Sequence, residues 1–385
     1  MRNLFVGAQV SLAVTLLLTG TLFARSLQQG LRADLGFDAD GVVAATIDLG
    51  APLDYHGERA REFYRALIER VSALPGVQSA ALSQHVLLSG SRSGGGASRP
   101  DAPEAVTTNV SVSSVTPGYF ETMGIELVAG RGFTDADADG ALPVVVINQT
   151  LADRLWPGAS PIGRPVQQPR TSQPAEVIGV ASEGRYTFVT EAPTPFVFLP
   201  YLQVSRPEMS IHVRAPGAEA ATLRAVANVV RQLDPNLAIR TPVRVADLVG
   251  TGLFPHRFGA QMVGAFGIVG LILAAMGIYG VLGYHVTRRT RELGVRRALG
   301  ATGARVVRDV VGRGGFIAGV GCAVGMLAGG ALAHVARGFL FGIRPLDPVT
   351  FTAVPLLLFC VAVLASWLPA RRASHVQPSE ALRVD

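Results

Sequence analysis

The apolar positions of this chain fall into four uninterrupted runs and one long stretch of mixed pattern. Leu4 to Phe23, Phe258 to Tyr284, about Gly314 to Val335 and about Thr350 to Leu368 contain no Asp, Glu, Lys or Arg. Each is about as long as the roughly 20 residues a helix needs to cross a bilayer, so each predicts a membrane span. Between the first run and the second the pattern is that of a folded soluble domain. Val42 to Leu49 reads as a strand, Phe63, Leu67, Val71 and Leu74 mark one face of a helix, and Pro75-Gly76 ends it before a strand at Val77 to Leu82. The pattern returns later. Met209, Ile211 and Val213 alternate with Ser210, His212 and Arg214; Leu223, Val226, Val230 and Leu233 form a helical stripe; a strand follows near Leu237 to Val245. Two βαβ units separated by an insertion predict a small α+β domain split by a subdomain. The expected fold is therefore an α-helical membrane protein with four transmembrane helices and a large extracytoplasmic α+β domain.

Details within the runs add expectations. The third carries G-x-x-x-G at Gly315/Gly319, Gly321/Gly325 and Gly325/Gly329, small-residue surfaces suited to close helix packing. Gly277, Gly280 and Gly283 recur by threes in the second. In the first, Gln9, Ser11, Thr15 and Thr19 recur at helical spacing and are expected to face other helices. That run reads as a retained anchor, because no A-x-A site follows it at Phe23-Ala24-Arg25-Ser26. His334 is expected to be an interfacial residue, and Pro355 lies near the start of the fourth run, where a proline costs least.

Charge sets the orientation. Arg288 to Arg313 reads RRTRELGVRRALGATGARVVRDVVGR, with eight arginines against Glu292 and Asp309. An arginine at a bilayer centre costs roughly 2.5–3.5 kcal/mol even on the gentler insertion scales, so this segment lies outside the lipid. By the positive-inside rule it is cytoplasmic, as are Arg371 and Arg372 after the last run. Both termini are then inside and the mixed domain outside.

All 34 basic residues are arginine. Without lysine there is no Walker A motif and no Schiff-base nucleophile, so any ATP chemistry belongs to a partner. The net charge of +6 is concentrated in the arginine segment and the tail, which argues against nucleic acid. Cys322 and Cys360 both fall inside apolar runs and read as packing residues. The seven histidines are scattered, with no H-E-x-x-H and no G-x-S-x-G elbow, so no catalytic residue and no metal ligand is assigned. Asp135, Asp137, Asp139 and Gly140 fit the first half of a calcium loop, but its twelfth position is Val146, and an acidic turn is expected instead. The Gly/Ser/Pro-rich stretch between Ser83 and Val106 reads as a mobile loop rather than a phosphate cradle.

Inside the arginine segment Val295, Ala298 and Leu299 fall at i, i+3 and i+4, which predicts a short amphipathic helix. Gly300 to Gly303 interrupts it, and Thr302 is a candidate N-cap for a second helix. On charge alone the segment either lies on anionic membrane lipid or docks a cytosolic partner. Its run T-R-E-L-G-V-R-R-A-L-G-A, Thr290 to Ala301, resembles the cytoplasmic loop of FtsX-like ABC permeases, which include the MacB-type exporters. The resemblance implies a coupling helix on a separate ABC ATPase subunit, formed by Thr290, Arg291, Glu292, Leu293, Arg296, Arg297, Ala298, Leu299 and Gly300.

Four further motifs resemble the MacB-type periplasmic core domain in order and spacing: TPGYFETMGI (116–125), AGRGF (129–133), VVVINQTLADRLWPG (144–158) and PIGRPV (161–166). That resemblance implies a porter-like part, 26–115 and 207–257, and a β-rich sabre-like insertion, 116–206. The ending P-A-R-R-A and P-S-E-A-L-R is again similar to FtsX-like permeases. The layout is then spans at 1–25, 258–285, 314–337 and 349–369, a cytoplasmic loop 286–313, a short outer loop 338–348 and a cytoplasmic tail 370–385. What the family implies is a permease subunit of an export or mechanotransmission complex in a bacterial inner membrane. Its ATP and magnesium sit on the partner; it pairs with a second copy or a second permease half, and it can meet a periplasmic adaptor and an outer-membrane channel. The other reading within the family is a non-transporting regulator of a periplasmic cell-wall hydrolase or signalling partner. Val6 to Gly20 resembles the opening of the second half of duplicated permeases, so the chain reads as one such half.

Overall fold

The computed structural model of the protein describes residues 2–32, 34–50, 55, 57–101, 107–168, 173–288 and 303–374. The chain divides into two compact units, one formed by residues 1–32 with 254–385 and the other by 33–253.

Among the described residues the second unit is built on an eleven-stranded sheet in the order β11-β1-β10-β2-β4-β9-β6-β8-β5, with β5 (Leu127–Gly130) at one edge, β3 paired to β4 and β7 (Pro165–Val166) to β8. Strand β1 (Val42–Asp48) lies antiparallel to both β10 (Glu208–Arg214) and β11 (Arg240–Arg244), and β10 pairs with β2 (Ser79–Ser83). Helices α2 (Gly57–Ser72) and α5 (Glu219–Leu233) share one core with these strands, and a short helix, α6 (Val245–Gly252), follows β11. The period-3.6 stripe explains why: Phe63, Leu67 and Val71 of α2 and Val226 and Val230 of α5 are buried with Val43, Ile47, Met209 and Ile211. Each such side chain contributes about 1.5–3 kcal/mol relative to exposure. The edge strand β11 carries Arg240, Pro242 and Arg244, residue types that discourage further strand pairing.

A second core gathers around β4 (Thr108–Val115), β9 (Phe196–Pro200), β6 (Val144–Asn148) and β8 (Ala175–Ala181), with α4 (Gln149–Leu155) packed on it. Asn148 starts that helix: its Oδ1 accepts from the Leu151 N–H at 3.1 Å and the Phe196 N–H at 2.9 Å, and its Nδ2 donates to Thr194 O at 2.8 Å. The two halves meet at one ladder pair, Ser83↔Val115. Helix α3 (Tyr119–Met123), bounded by Gly118 and Gly124 at φ 79° and 64°, bridges that seam. Tyr119 packs edge-on against the His212 ring of β10, ring centroids 5.6 Å apart, and Phe120 against Phe198 of β9, centroids 5.0 Å apart. The TPGYFETMGI motif thus packs across the seam of the sheet.

Two expectations change. The stretch expected to be a mobile loop contains β3 (Ser93–Ala97), paired residue for residue with β4. Its glycines suit a crowded strand, since a Cβ at Gly96 would meet Thr107 Cγ2 at 2.6 Å. Strands β3 and β4 also lie on the insertion's side of the seam, with Ala97, Val110 and Val112 in the second core. Finally, β10 does not alternate: Ser210 (1% exposed) and His212 (0%) are buried along with Met209, Ile211 and Val213, because the opposite face is covered too.

The Asp135–Gly140 turn is held from within. Asp137 receives two hydrogen bonds from the Arg131 guanidinium, at 2.7 and 2.9 Å, and one from the Thr134 N–H at 2.8 Å. The Arg131 contact, aided by Thr134, outweighs burial and pulls the carboxyl down to about 2. Both Asp137 oxygens are therefore engaged by Arg131 and Thr134.

In the first unit, α1 (Arg2–Leu31), α7 (Phe254–Arg288), α8 (Gly303–Val335) and α9 (Pro348–Ser374) form a helix bundle. Helix α1 runs on past the expected end at residue 25. Helix α8 begins inside the arginine segment and continues unbroken into the expected third span, with no separate helix between. Among the described residues four segments are long and apolar enough to cross a membrane: Asn3–Leu31, Val245–Tyr284, Gly314–Gly338 and Pro348–Trp367. The bundle is apolar inside and outside alike. Val10, Val14, Leu18, Ile278 and Leu358 fill its core, while Phe266, Met276, Phe316, Leu327 and Leu356 are exposed on its surface. An outward apolar face of that kind has lipid as its natural solvent.

Candidate functional site: the helix bundle and the segment it flanks

The expected coupling residues Thr290, Arg291, Glu292, Leu293, Arg296, Arg297, Ala298, Leu299 and Gly300 lie outside the described residues, as does the candidate N-cap Thr302. The structure does describe the two helices that enter and leave that segment, α7 up to Arg288 and α8 from Gly303.

Both helices pack on α1. On α8, Gly321, Gly325 and Gly329 lie against Val10, Val14 and Leu18 of α1; a Cβ at these positions would stand 2.6, 2.6 and 2.8 Å from the α1 side chains. The Thr15 hydroxyl donates to Gly325 O at 3.2 Å, which is possible only because the backbones approach so closely. The other two glycines of the expected packing set are placed differently. A Cβ at Gly315 would reach only Phe359, at 4.0 Å, and one at Gly319 would have nothing within 4 Å. Successive helix residues turn by about 100°, so Gly319 is carried off the stripe Ala318-Gly321-Gly325-Gly329.

On α7 the close approaches are at Gly267, Gly270 and Gly277, where an added Cβ would stand 2.8 Å from Leu17, 3.3 Å from Ala13 and 2.6 Å from Gln9 Oε1. At Gly280 and Gly283, singled out by their spacing, an added Cβ would meet no heavy atom within 4 Å among the described residues. The readable signal was the small-residue stripe Gly267-Gly270-Ala274-Gly277, at i, i+3, i+7 and i+10, which follows one helix face as the three-residue spacing does not.

The far end of α1 is tied to the segment between α8 and α9. Arg25 forms an ion pair with Asp347, and the Ser26 hydroxyl accepts from the Phe341 N–H at 2.8 Å. Asp347 also caps α9, accepting from the Thr350 N–H at 2.8 Å and from its hydroxyl at 2.7 Å, with Pro348 as the first helical residue. Burial raises the Asp347 carboxyl pKa, but the two Thr350 bonds and Arg25 together outweigh it and hold the group below its ordinary value. Asp347→Ala removes the cap and strands Arg25. It is expected to cost at least the roughly 1 kcal/mol of an N-cap, read as a lower thermal midpoint of the purified chain. An unchanged midpoint would show that this clamp does not hold α1.

Residues 10–233 match the model of the MacB-like periplasmic core domain, and residues 264–378 match that of the FtsX-like permease C-terminal. The chain belongs to the MacB-like family of FtsX-like ABC permeases. Three similar proteins illustrate its range. The probable syringafactin export ATP-binding/permease protein SyfD of Pseudomonas syringae pv. tomato is 24% identical over 97% of this chain and 56% of its own length. The uncharacterized ABC transporter permease YknZ of Bacillus subtilis is 26% identical over 72% of this chain and 71% of its own. The macrolide export ATP-binding/permease protein MacB of Azoarcus sp. is 25% identical over 99% and 57%. The chain spans little more than half the length of the two ATP-binding/permease relatives. As a MacB-like permease it is a membrane protein with a domain outside the bilayer, and residues 33–253 form that domain.

Proposed function

We propose that this chain is the permease part of an ABC-type export complex that converts ATP hydrolysis on a cytoplasmic ATPase into movement of its outer domain. The observation that carries the reading is the central place of α1. It packs on α7 through Gly267, Gly270 and Gly277 and on α8 through Gly321, Gly325 and Gly329. The segment 289–302 joins α7 to α8, so a partner pushing there acts on both helices that grip α1. Two chain connections lead from the bundle into residues 33–253, one from α1 and one into α7. Motion of the bundle then has two mechanical leads into the outer domain, a hinge-and-lever arrangement. The lack of lysine supports an ATPase site on another polypeptide segment, because the phosphate-binding lysine is missing here. Export is favoured by the two relatives named for export of syringafactin and of macrolides.

In this scheme Arg296 and Arg297 meet acidic groups of the ATPase, Glu292 meets a basic one, and the complex works as a pair of permease halves. The test is charge reversal. Arg296→Glu combined with Arg297→Glu is expected to abolish co-purification of the ATPase, since breaking close charge pairs at an interface costs about 2–5 kcal/mol or more. Membrane insertion and the thermal midpoint should not change. Undiminished co-purification would reject the docking assignment.

A further inference from the structure

The face of the sheet turned away from α2 and α5 holds a cavity of about 280 Å³ in the first half of the outer domain. Thr46 of β1 and Ser210 of β10 are register partners on that face, with their hydroxyls 2.9 Å apart. They alternate with Ile47 and Met209, which enter the core on the other side. Gln84, His85, Ser89 and Ser91, from the segment between β2 and β3, form one wall. Glu208, Arg240 and Thr241 form the opposite one, and Val86, Val243 and Leu248 supply its apolar surface.

Charge decides what such a cavity takes. Among the described lining residues Arg240 carries the one guanidinium, and it is already paired, 3.0 Å from Asp48 and 3.9 Å from Glu208. With two carboxylates beside one cation the wall offers no net positive charge to an anion. What remains is a lining of hydroxyl and amide groups, which both donate and accept, as the hydroxyls of a neutral polyol do. Some of those groups are held in place: the Gln84 amide and the His85 ring both contact Ser93 Oγ, at 3.1 and 3.0 Å. The volume lies just below the roughly 300–1,000 Å³ of sites for drug-sized ligands, which suits one small molecule.

The backbone adds an independent sign. Thr241 sits at φ 49°, in the left-handed region that a β-branched residue rarely enters. Strain of this kind persists where the surroundings impose it, and it gathers at ligand-binding positions. Here it lies on the cavity wall.

We infer that this cavity binds a small neutral polyol of about the size of one monosaccharide. The inference does not depend on the ATPase partner, and no ATPase enters its test. The full-length chain in detergent is titrated with D-glucose, N-acetyl-D-glucosamine and glycerol, with inorganic phosphate and glutamate in parallel. Binding is read by saturation-transfer NMR and by the thermal midpoint. At least one polyol is expected to show transfer at millimolar concentration and to raise the midpoint with dose. Ser91→Trp, on an exposed residue at the rim, fills the opening and is expected to remove the signal without changing the ligand-free midpoint. Ser210→Ala deletes one hydroxyl and is expected to weaken binding about fivefold, the worth of one hydrogen bond. Absence of transfer for all three polyols would overturn the proposal. So would a signal untouched by Ser91→Trp, or stronger protection by phosphate or glutamate than by any polyol.

Discussion

Gly325→Leu is expected to prevent the helix bundle from assembling, whereas Gly319→Leu on the same helix is expected to be tolerated. At Gly325 a new Cβ would stand 2.6 Å from Val14 Cβ and 2.7 Å from Ser11 O. The second of these is backbone and cannot swing aside, so α1 and α8 must separate. Separation also breaks the Thr15 bond to Gly325 O. Overpacking a well-filled interior costs typically about 1–3 kcal/mol, and a main-chain clash on the central helix belongs at or above the top of that range. At Gly319 there is nothing within 4 Å, the site faces outward, and leucine is a better helix former than glycine by close to 1 kcal/mol. The two variants share residue type, helix and added side chain, so composition cannot explain a difference between them. Size-exclusion profile and thermal midpoint in detergent provide the readout. Equal behaviour of the two would mean that α8 does not pack on α1 through this stripe.

The second large effect is acid sensitivity centred on His212. Its ring is fully buried in β10, Nδ1 donates to Ser210 O at 3.1 Å, and Nε2 has no hydrogen-bond partner among the described residues. Burial is the main cause that pushes its pKa down to about 4, against an ordinary 6.5, with the Ser210 bond opposing. Between these values the unfolded chain binds a proton that the folded chain refuses, so stability rises with pH across that window. On acidification the loss starts near pH 6.5 and is complete near pH 4. It amounts to about 3 kcal/mol at 1.36 kcal/mol per unit. Carboxylates such as Asp137, whose folded value is about 2, lose their contribution only below this window. His212→Leu is expected to flatten the fall of the thermal midpoint between pH 6.5 and 4. A fall as steep in the variant as in the parent chain would assign the sensitivity elsewhere.

His212 also shows where sequence reading ran short. Its alternation with Met209, Ile211 and Val213 is the pattern of a solvent-facing residue. In the fold the face it occupies is covered by α3, whose Tyr119 packs edge-on against the ring. That cover comes from a segment about ninety residues away in the chain, a distance over which a period of two carries no information. The glycine-rich stretch misled for the same reason. Gly94, Gly95 and Gly96 have no strand propensity of their own and become a strand because β4 offers them a partner edge. The cavity between β1, β10 and β11 left no trace in the sequence, since Thr46, Gln84, Ser210 and Thr241 meet only across the sheet.

The glycines of the bundle were legible in part. Small residues at spacing four identified α8 as a packing helix, but the choice between Gly319 and Gly325 depends on which face meets α1, and spacing within one helix does not name the neighbour. Asp347 could be read as a polar residue in a short connection. Its two roles, capping α9 and pairing with Arg25 of α1, appear only when the chain ends are brought together.

What the sequence by itself determined is the four apolar runs, the exclusion of the arginine segment from lipid, the absence of an ATP-binding lysine and the family motifs. These follow from properties that add up residue by residue along the chain: transfer free energy, charge and residue identity. The tertiary structure decided which faces of the membrane helices touch, that the split domain shares one continuous sheet pinned at Ser83↔Val115, and which polar side chains are enclosed. Those outcomes depend on the angular phase of one helix against another and on pairing between distant strands, and neither quantity is carried by any single stretch of the chain.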